Sequence, residues 1–363
     1  MYGLLGMDSM QTSRVLLYEN VFVGALSLAI GLAAGIALSP AFGGLASFVF
    51  GVPWRFGFAF SENAALWDCG CFAAIMAVAM LAGMRGIRKR SLLQLMNANR
   101  VPEKPKGAGG AAMRVQAVLA FAAVVFVWGL CVLQPITFVV YILPLGILAV
   151  LATGVLFRTW TISYAKRAER NTERYLRGLR CFVVRQVESK VSATSIAMGC
   201  TCVLIAVAIC MVVAGLAFSV GMRGPQTDGA TASSLAPIGF VGIFFGMTFL
   251  VAAAAVLALQ QLAEGADSVH RYRILDKMGC DSSMMRRAVW AQTGVYFAAP
   301  LAFALVHCVF GLALVGFLAA ALGSSSFAVI VAGTVGGTVA FLGVYYLVTS
   351  LACERMLLGS VCH

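Results

Sequence analysis

The sequence predicts an all-α fold, a polytopic helical membrane protein with about eight transmembrane helices. Three observations lead there. First, 61% of the 363 residues are hydrophobic and only 11% are charged, with a mean hydropathy of +0.94, whereas a soluble domain carries about 25% charged residues. Second, the apolar runs are continuous and long enough to cross a bilayer, which takes about 20 residues. They lack the alternation of lipid-facing barrel strands, and a helix satisfies its own backbone in lipid. Third, the basic residues are strongly biased to alternate connections.

The spans are read at 15–39, 66–84, 115–134, 136–157, 194–219, 237–260, 293–321 and 327–351. The first run is too long for the h-region of a removable secretory signal, so it is read as a span. The third and fourth nearly touch at Gln134-Pro135, where proline breaks the helix and a tight turn suffices. With the first segment taken as cytoplasmic, Arg14, residues 85–114, 158–190, 271–287 and Arg355 hold 24 of the 26 Lys and Arg. Only Arg55 and Arg223 fall outside. By the positive-inside rule both termini are then cytoplasmic. The net charge of +12 follows from this bias, so no nucleic-acid partner is needed to explain it. The inner basic segments suit the lipid bilayer as a partner, through anionic headgroups. The outer connections, 40–65 ("FVFGVPWRFGFAF" within it) and 220–236, are too short for a folded domain.

Several polar and small residues ask for roles. Glu19 lies about one turn into the first span, where an isolated carboxylate is costly. It is read at headgroup level or paired with Arg14, or else as a joint between a cytoplasmic helix and the span. His307, mid-span, is read as a buried histidine with its hydrogen bonds satisfied. Gly31 with Gly35, and Gly333 with Gly337, have the spacing of close helix approach and are read as internal packing. The eleven cysteines form no C-x-x-C and lie mostly in apolar runs, so they read as small buried hydrophobes. No metal site, catalytic constellation or phosphate-binding loop is expected. "KGAGGAAMR" (106–114) lacks the GK[ST] of such a loop. The chain is therefore read as a non-enzyme with no cofactor of its own, and any energy must come from a partner.

An internal repeat is also visible. "MYGLLGMDSMQTSRVLLYENVFVGAL" aligns without a gap on residues 275 onward when shifted by 273 positions. Gly6 then falls on Gly279, Asp8 on Asp281, Ser9 on Ser282, Arg14 on Arg287, Val15 on Ala288 and Glu19 on Gln292.

Four stretches together resemble the FtsX-like ABC-transporter permease family, in its BceB-like (bacitracin and antimicrobial-peptide) branch. The first is "YGLLGMDSMQTSRVLLYENVFVGAL", with a Leu5-Gly6 pair leading to the acidic Glu19 at the start of a span. The second is "RKRSLLQLMNANRVPEKPKG" (88–107). The third is "RYLRGLRCFVVRQVESKVSATSIAM" (174–198), with Gly178, Leu179, Phe182, Arg185, Gln186, Ser189 and Lys190 in place. The fourth is "QLAEGADSVHRYRILDKMGCDSSMMRRAVWAQ" (261–292).

The resemblance implies two FtsX-like repeats, the first truncated. Residues 1–157 would be the first half, with a coupling segment at 2–14, four spans and a basic linker at 85–114. Residues 158–193 would be a basic connector, and 194–363 the second half, with four spans and a coupling segment at 272–287. It implies a membrane subunit that turns ATP hydrolysis by separate ATPases into helix motion, for export of or resistance to antimicrobial peptides or lipid-linked substrates. ATP would be bound by two copies of a cytoplasmic ABC ATPase, with a sensor histidine kinase as a further partner, in a bacterial plasma membrane. The implied ATPase-coupling residues are Leu5, Gly6, Met7, Asp8, Arg14, Glu19, Gly279, Cys280, Asp281, Arg287 and Gln292. The connector motif is Gly178, Phe182, Arg185, Gln186, Ser189 and Lys190. That branch has two more spans, which would precede residue 1, and a large extracellular domain where this chain has only 220–236. A non-transporting transducer that controls a kinase or a cell-wall hydrolase, and an inactive truncated permease, are the alternative expectations.

Overall fold

The computed structural model describes residues 9–54, 56–58, 60–88, 110–219, 229–321 and 327–359. These form two compact units, divided between residues 104 and 105. Among the described residues the structure is all-α, and eight helices are long and apolar enough to cross a membrane.

The first unit contains α1 (Ser9–Phe50) and α2 (Glu62–Arg88), packed on each other. Helix α1 continues well past the expected span end at 39, with Pro40 inside it. A helical proline has no N–H for the carbonyl four residues back. Here that carbonyl, Ile36 O, accepts from Ser39 Oγ at 2.8 Å, so the group is satisfied where water is scarce. The connection to α2 is correspondingly shorter than the sequence suggested. Its exposed Trp54, Phe56 and Phe58 stack edge to face at 6.0 and 5.6 Å, a composition suited to a membrane–water boundary.

The second unit contains α3 (Gly110–Leu133), α4 (Pro135–Val140), α5 (Ile142–Glu169), α6 (Thr172–Tyr175), α7 (Arg180–Ser219), α8 (Gly229–Lys277), α9 (Ser282–Ala321) and α10 (Phe327–Gly359). The expected tight turn at Gln134-Pro135 is instead a short six-residue helix, α4, and the fourth span starts only at Ile142. Helix α7 is central. It packs on α5, α8, α9 and α10, and half of its apolar stretch Thr194–Ser219 is buried, the largest share of any span. Its Ile205, Ile209 and Val213 meet Phe157 of α5, Leu257 of α8, Tyr296 and Ala304 of α9 and Leu342 of α10 in one core.

Glycine sets how closely α7 approaches its neighbours. A Cβ on Gly215 would lie 2.6 Å from Gly239 O and from Ile243 N. One on Gly242 would lie 3.0 Å from Met211 O, and one on Gly246 2.8 Å from Ala208 O. Residues 239, 242 and 246 of α8 thus lie backbone to backbone on the 208–215 ridge of α7. Gly199 meets Gly154 of α5 in the same way, its Cβ position 2.7 Å from Gly154 N. The expected pairs Gly31/Gly35 and Gly333/Gly337 have no neighbour within 4 Å among the described residues. The expectation of internal packing is therefore not met at these pairs, whose faces meet no helix among the described residues.

His307 is half-buried rather than buried, but both its ring nitrogens are paired as expected. Trp128 Nε1 donates to His307 Nδ1 at 3.0 Å, which leaves Nε2 to carry the proton toward Thr153 Oγ1, also at 3.0 Å. The ten described cysteines are free. Cys131, Cys202, Cys308 and Cys353 are buried, and Cys71 and Cys200 are exposed.

Substituting Gly215 by Val inserts side-chain atoms into this backbone contact, and overpacking of that kind costs about 1–3 kcal/mol. We expect Gly215→Val to lower the melting temperature of the detergent-purified chain clearly. Gly337→Val, at an open position, is expected to leave it nearly unchanged. Equal effects would mean that the α7–α8 approach does not hold the bundle.

Candidate functional site

Four helices of the second unit run on past their apolar stretches at the end where Arg and Lys accumulate. The apolar run of α8 ends near residue 260, yet the helix continues to Lys277. At about 1.5 Å per residue the remainder projects about 25 Å. The start of α7, the start of α9 and the end of α10 join it in a separate small core of Tyr272, Leu275, Met285, Val289, Cys353 and Leu357.

The connector motif packs on this core. Leu179 and Phe182 lie against it, and the Phe182 ring meets Tyr272 edge to face at 5.4 Å. The buried Gln186 Nε2 donates to Ser268 Oγ at 2.7 Å. Lys190 reaches Asp267 at 3.7 Å. Arg185 pairs with Glu169 at 2.6 Å and with Glu188 at 2.9 Å, tying α7 back to the end of α5. Ser189 Oγ donates to Gln186 O in its own helix. Gly178 has φ +66° in the turn that starts α7, a conformation that costs glycine little. The connector helix ends at a kink at Thr194 (φ −102°, ψ 16°), whose Oγ1 donates to Lys190 O at 3.0 Å. The kink falls where the sequence placed the start of the fifth span.

Residues 272–287, expected as one coupling segment, form a helical corner. Gly279 has φ +82°. Its N–H reaches Asp276 O at 2.8 Å, and the Cys280 N–H reaches Leu275 O at 3.1 Å. This is the paired bonding of a Schellman cap, and Cys280 and Leu275 supply its apolar contact. Asp281 then starts α9, its carbonyl accepting from the N–H groups of Met284 and Met285 at 3.0 and 3.1 Å. A carboxylate there also favours the helix N-terminus. Gly279, Cys280 and Asp281 thus stop one long helix and start the next within three residues. Arg287 is exposed on the first turns of α9.

Gln292, 7% exposed, donates from Nε2 to Oε1 of Glu264, 8% exposed, at 3.3 Å. Trp290 Nε1 donates to Glu354 Oε2 at 2.7 Å. The sequence reading singled out neither Glu264, Ser268 nor Glu354. Their one signal was polarity at the end of an apolar helix, in "QQLAEGADS" and "ACERM".

Of the first coupling segment, Leu5, Gly6, Met7 and Asp8 lie outside the described residues, as does most of the linker 85–114. Arg14 and Glu19 are exposed on α1, and no ion pair joins them.

No family model matches the chain. It is similar to the ABC transporter permease protein YxdM of Bacillus subtilis (strain 168), with 33% identity over 73 residues. That match covers 20% of this chain and 12% of YxdM. The eight apolar helices fit a multi-pass membrane protein with a partial likeness to an ABC permease.

Two substitutions probe the corner. Gly279→Val forces a β-branched residue to positive φ and should lower stability by more than about 1 kcal/mol, whereas Gly279→Asn, which tolerates that region, should cost less. Gln292→Leu removes the amide donor from the buried Glu264 and should cost about 1–3 kcal/mol. Thermal melts of the purified chain in detergent measure both. No loss in Gln292→Leu would mean that the Glu264 contact is not a structural tie.

Proposed function

We propose that the chain is the membrane subunit of an ABC-type transporter, driven by separate cytoplasmic ATPases. One observation carries this reading. The connector motif and the 272–287 corner, 90 residues apart along the chain at Phe182 and Tyr272, come together in one packed body whose helices run on into the spans. The corner is presented between α8 and α9, and α9 is continuous from Ser282 to Ala321, with Pro300 inside it. A push on such a corner displaces the attached spans without first bending a loop. The partial likeness to YxdM supports the same reading.

In this reading the basic end is cytoplasmic, both termini lie inside, and the host membrane is a bacterial plasma membrane. The corner at Gly279, Cys280 and Asp281 docks one ATPase copy and the segment 2–14 docks a second. The chain hydrolyses no ATP itself. The substrates are antimicrobial peptides or lipid-linked molecules, and a sensor histidine kinase is a further partner.

The test is affinity purification of the tagged full chain from its own membranes, with ABC ATPases identified by mass spectrometry. Scrambling 279–285, or scrambling 2–14, should each reduce the recovered ATPase, and scrambling both should abolish it. Full ATPase recovery with both segments scrambled would overturn the coupling assignment. Unchanged resistance to bacitracin-type peptides after deletion of the protein, with ATPase binding intact, would remove the peptide substrate.

A further inference from the structure

The coupling reading leaves one feature unused, a cleft of about 850 Å³ between the end of α5, the turn around Gly178, the start of α7 and the start of α9. Arg167, Arg177, Arg180 and Arg287 line it, and among the described residues no carboxylate does. All four are exposed. None forms an ion pair with a carboxylate among the described residues, in contrast to Arg185, which is held between Glu169 and Glu188. Four guanidinium groups around one cleft repel one another until an anion enters.

The rest of the lining says which kind of anion. Val183, Val184, Ala288, Ala291 and Val295 give the cleft an apolar side. Val295 lies where the apolar run of α9 begins, so that side is continuous with the span. Tyr164 also lines the cleft and stacks on Trp160, with ring centroids 5.7 Å apart. Trp and Tyr at a span end mark headgroup depth. A phosphate bound to hydrocarbon satisfies both sides at once. The guanidinium fork matches phosphate oxygens, and the apolar side takes the chain.

We propose that this cleft binds an anionic phospholipid, with its phosphate among Arg167, Arg177, Arg180 and Arg287 and the start of its acyl chain along Ala291 and Val295. A soluble phosphate would leave the apolar side unused. An acidic protein segment would have no reason to sit at the level of Trp160 and Tyr164. The proposal does not depend on an ATPase partner.

The test is native mass spectrometry of the full chain in detergent, with dioleoyl phosphatidylglycerol and dioleoyl phosphatidylcholine offered separately. The wild type should retain the phosphatidylglycerol about tenfold better than the phosphatidylcholine. Arg167→Gln with Arg180→Gln should lower that retention by about tenfold or more, given the contribution of each cation near an anionic lipid surface. Arg273→Gln with Lys277→Gln removes the same charge from α8 outside the cleft and should leave retention at the wild-type level. Equal retention of the two lipids, or an equal loss in both double variants, overturns the proposal. So does complete displacement by millimolar glycerol phosphate, which would make the site one for soluble phosphate esters. Independently of any variant, a diazirine-bearing phosphatidylglycerol should crosslink to peptides covering 160–184 or 284–295 of the wild type. Crosslinks confined to other spans would overturn it, and preferential protection of the cleft by an acidic peptide would assign it to a protein partner instead.

Discussion

The backbone contact between α7 and α8 is what the second unit depends on. In lipid, burying an apolar side chain against another helix gains little over leaving it in hydrocarbon, so close packing decides which helices stay together. The stripe Gly239, Gly242 and Gly246 lets α8 lie directly on the 208–215 ridge of α7. Helix α7 then offers its remaining faces to α5, α9 and α10. The same pair is tied again beyond the apolar run by Phe182 with Tyr272, Gln186 with Ser268 and Lys190 with Asp267. Between the two ties stands the kink at Thr194. The kink re-aims α7 between the two ties, while α8 runs unbroken through both.

The polar contacts at the basic end serve a different purpose from the glycines. Apolar side chains such as Leu275 and Met285 could slide by a turn and still find apolar neighbours. Glu264 with Gln292, and Trp290 with Glu354, cannot, because a one-turn slip takes the amide donor from the buried Glu264 and the indole donor from the half-buried Glu354. Polar pairs of this kind fix register more than they add stability. They make the corner at Gly279 a defined shape on helices that hold their alignment.

The spans were legible in the sequence because a membrane helix announces itself by composition alone. Their ends were not, because α5 and α8 continue as amphipathic helices that lose the apolar signal while keeping helical geometry. Gly31 with Gly35 and Gly239 with Gly246 look alike as spacings, yet only the second set meets a partner backbone. Spacing shows that a face can be approached closely, and the partner's identity is a tertiary fact. Likewise the 178–190 motif and the 279–281 corner could each be singled out from resemblance, but nothing local in either shows that Phe182 reaches Tyr272.

The repeat between the two ends of the chain shows how burial reshapes a shared pattern. Val15 and Glu19 of α1 are exposed among the described residues, while their equivalents Ala288 and Gln292 are buried under neighbouring helices. The exchanges follow from that difference. A small Ala fits at 288 within a packed interface. A neutral amide at 292 can donate to Glu264, where a second carboxylate would only repel it. At position 19 no such partner constrains the choice, and a carboxylate is tolerated. Arg14 and Arg287, by contrast, keep both charge and exposure across the two copies. The likeness therefore persists at this exposed pair and lapses at 288 and 292, where the chain's own packing dictates the residue.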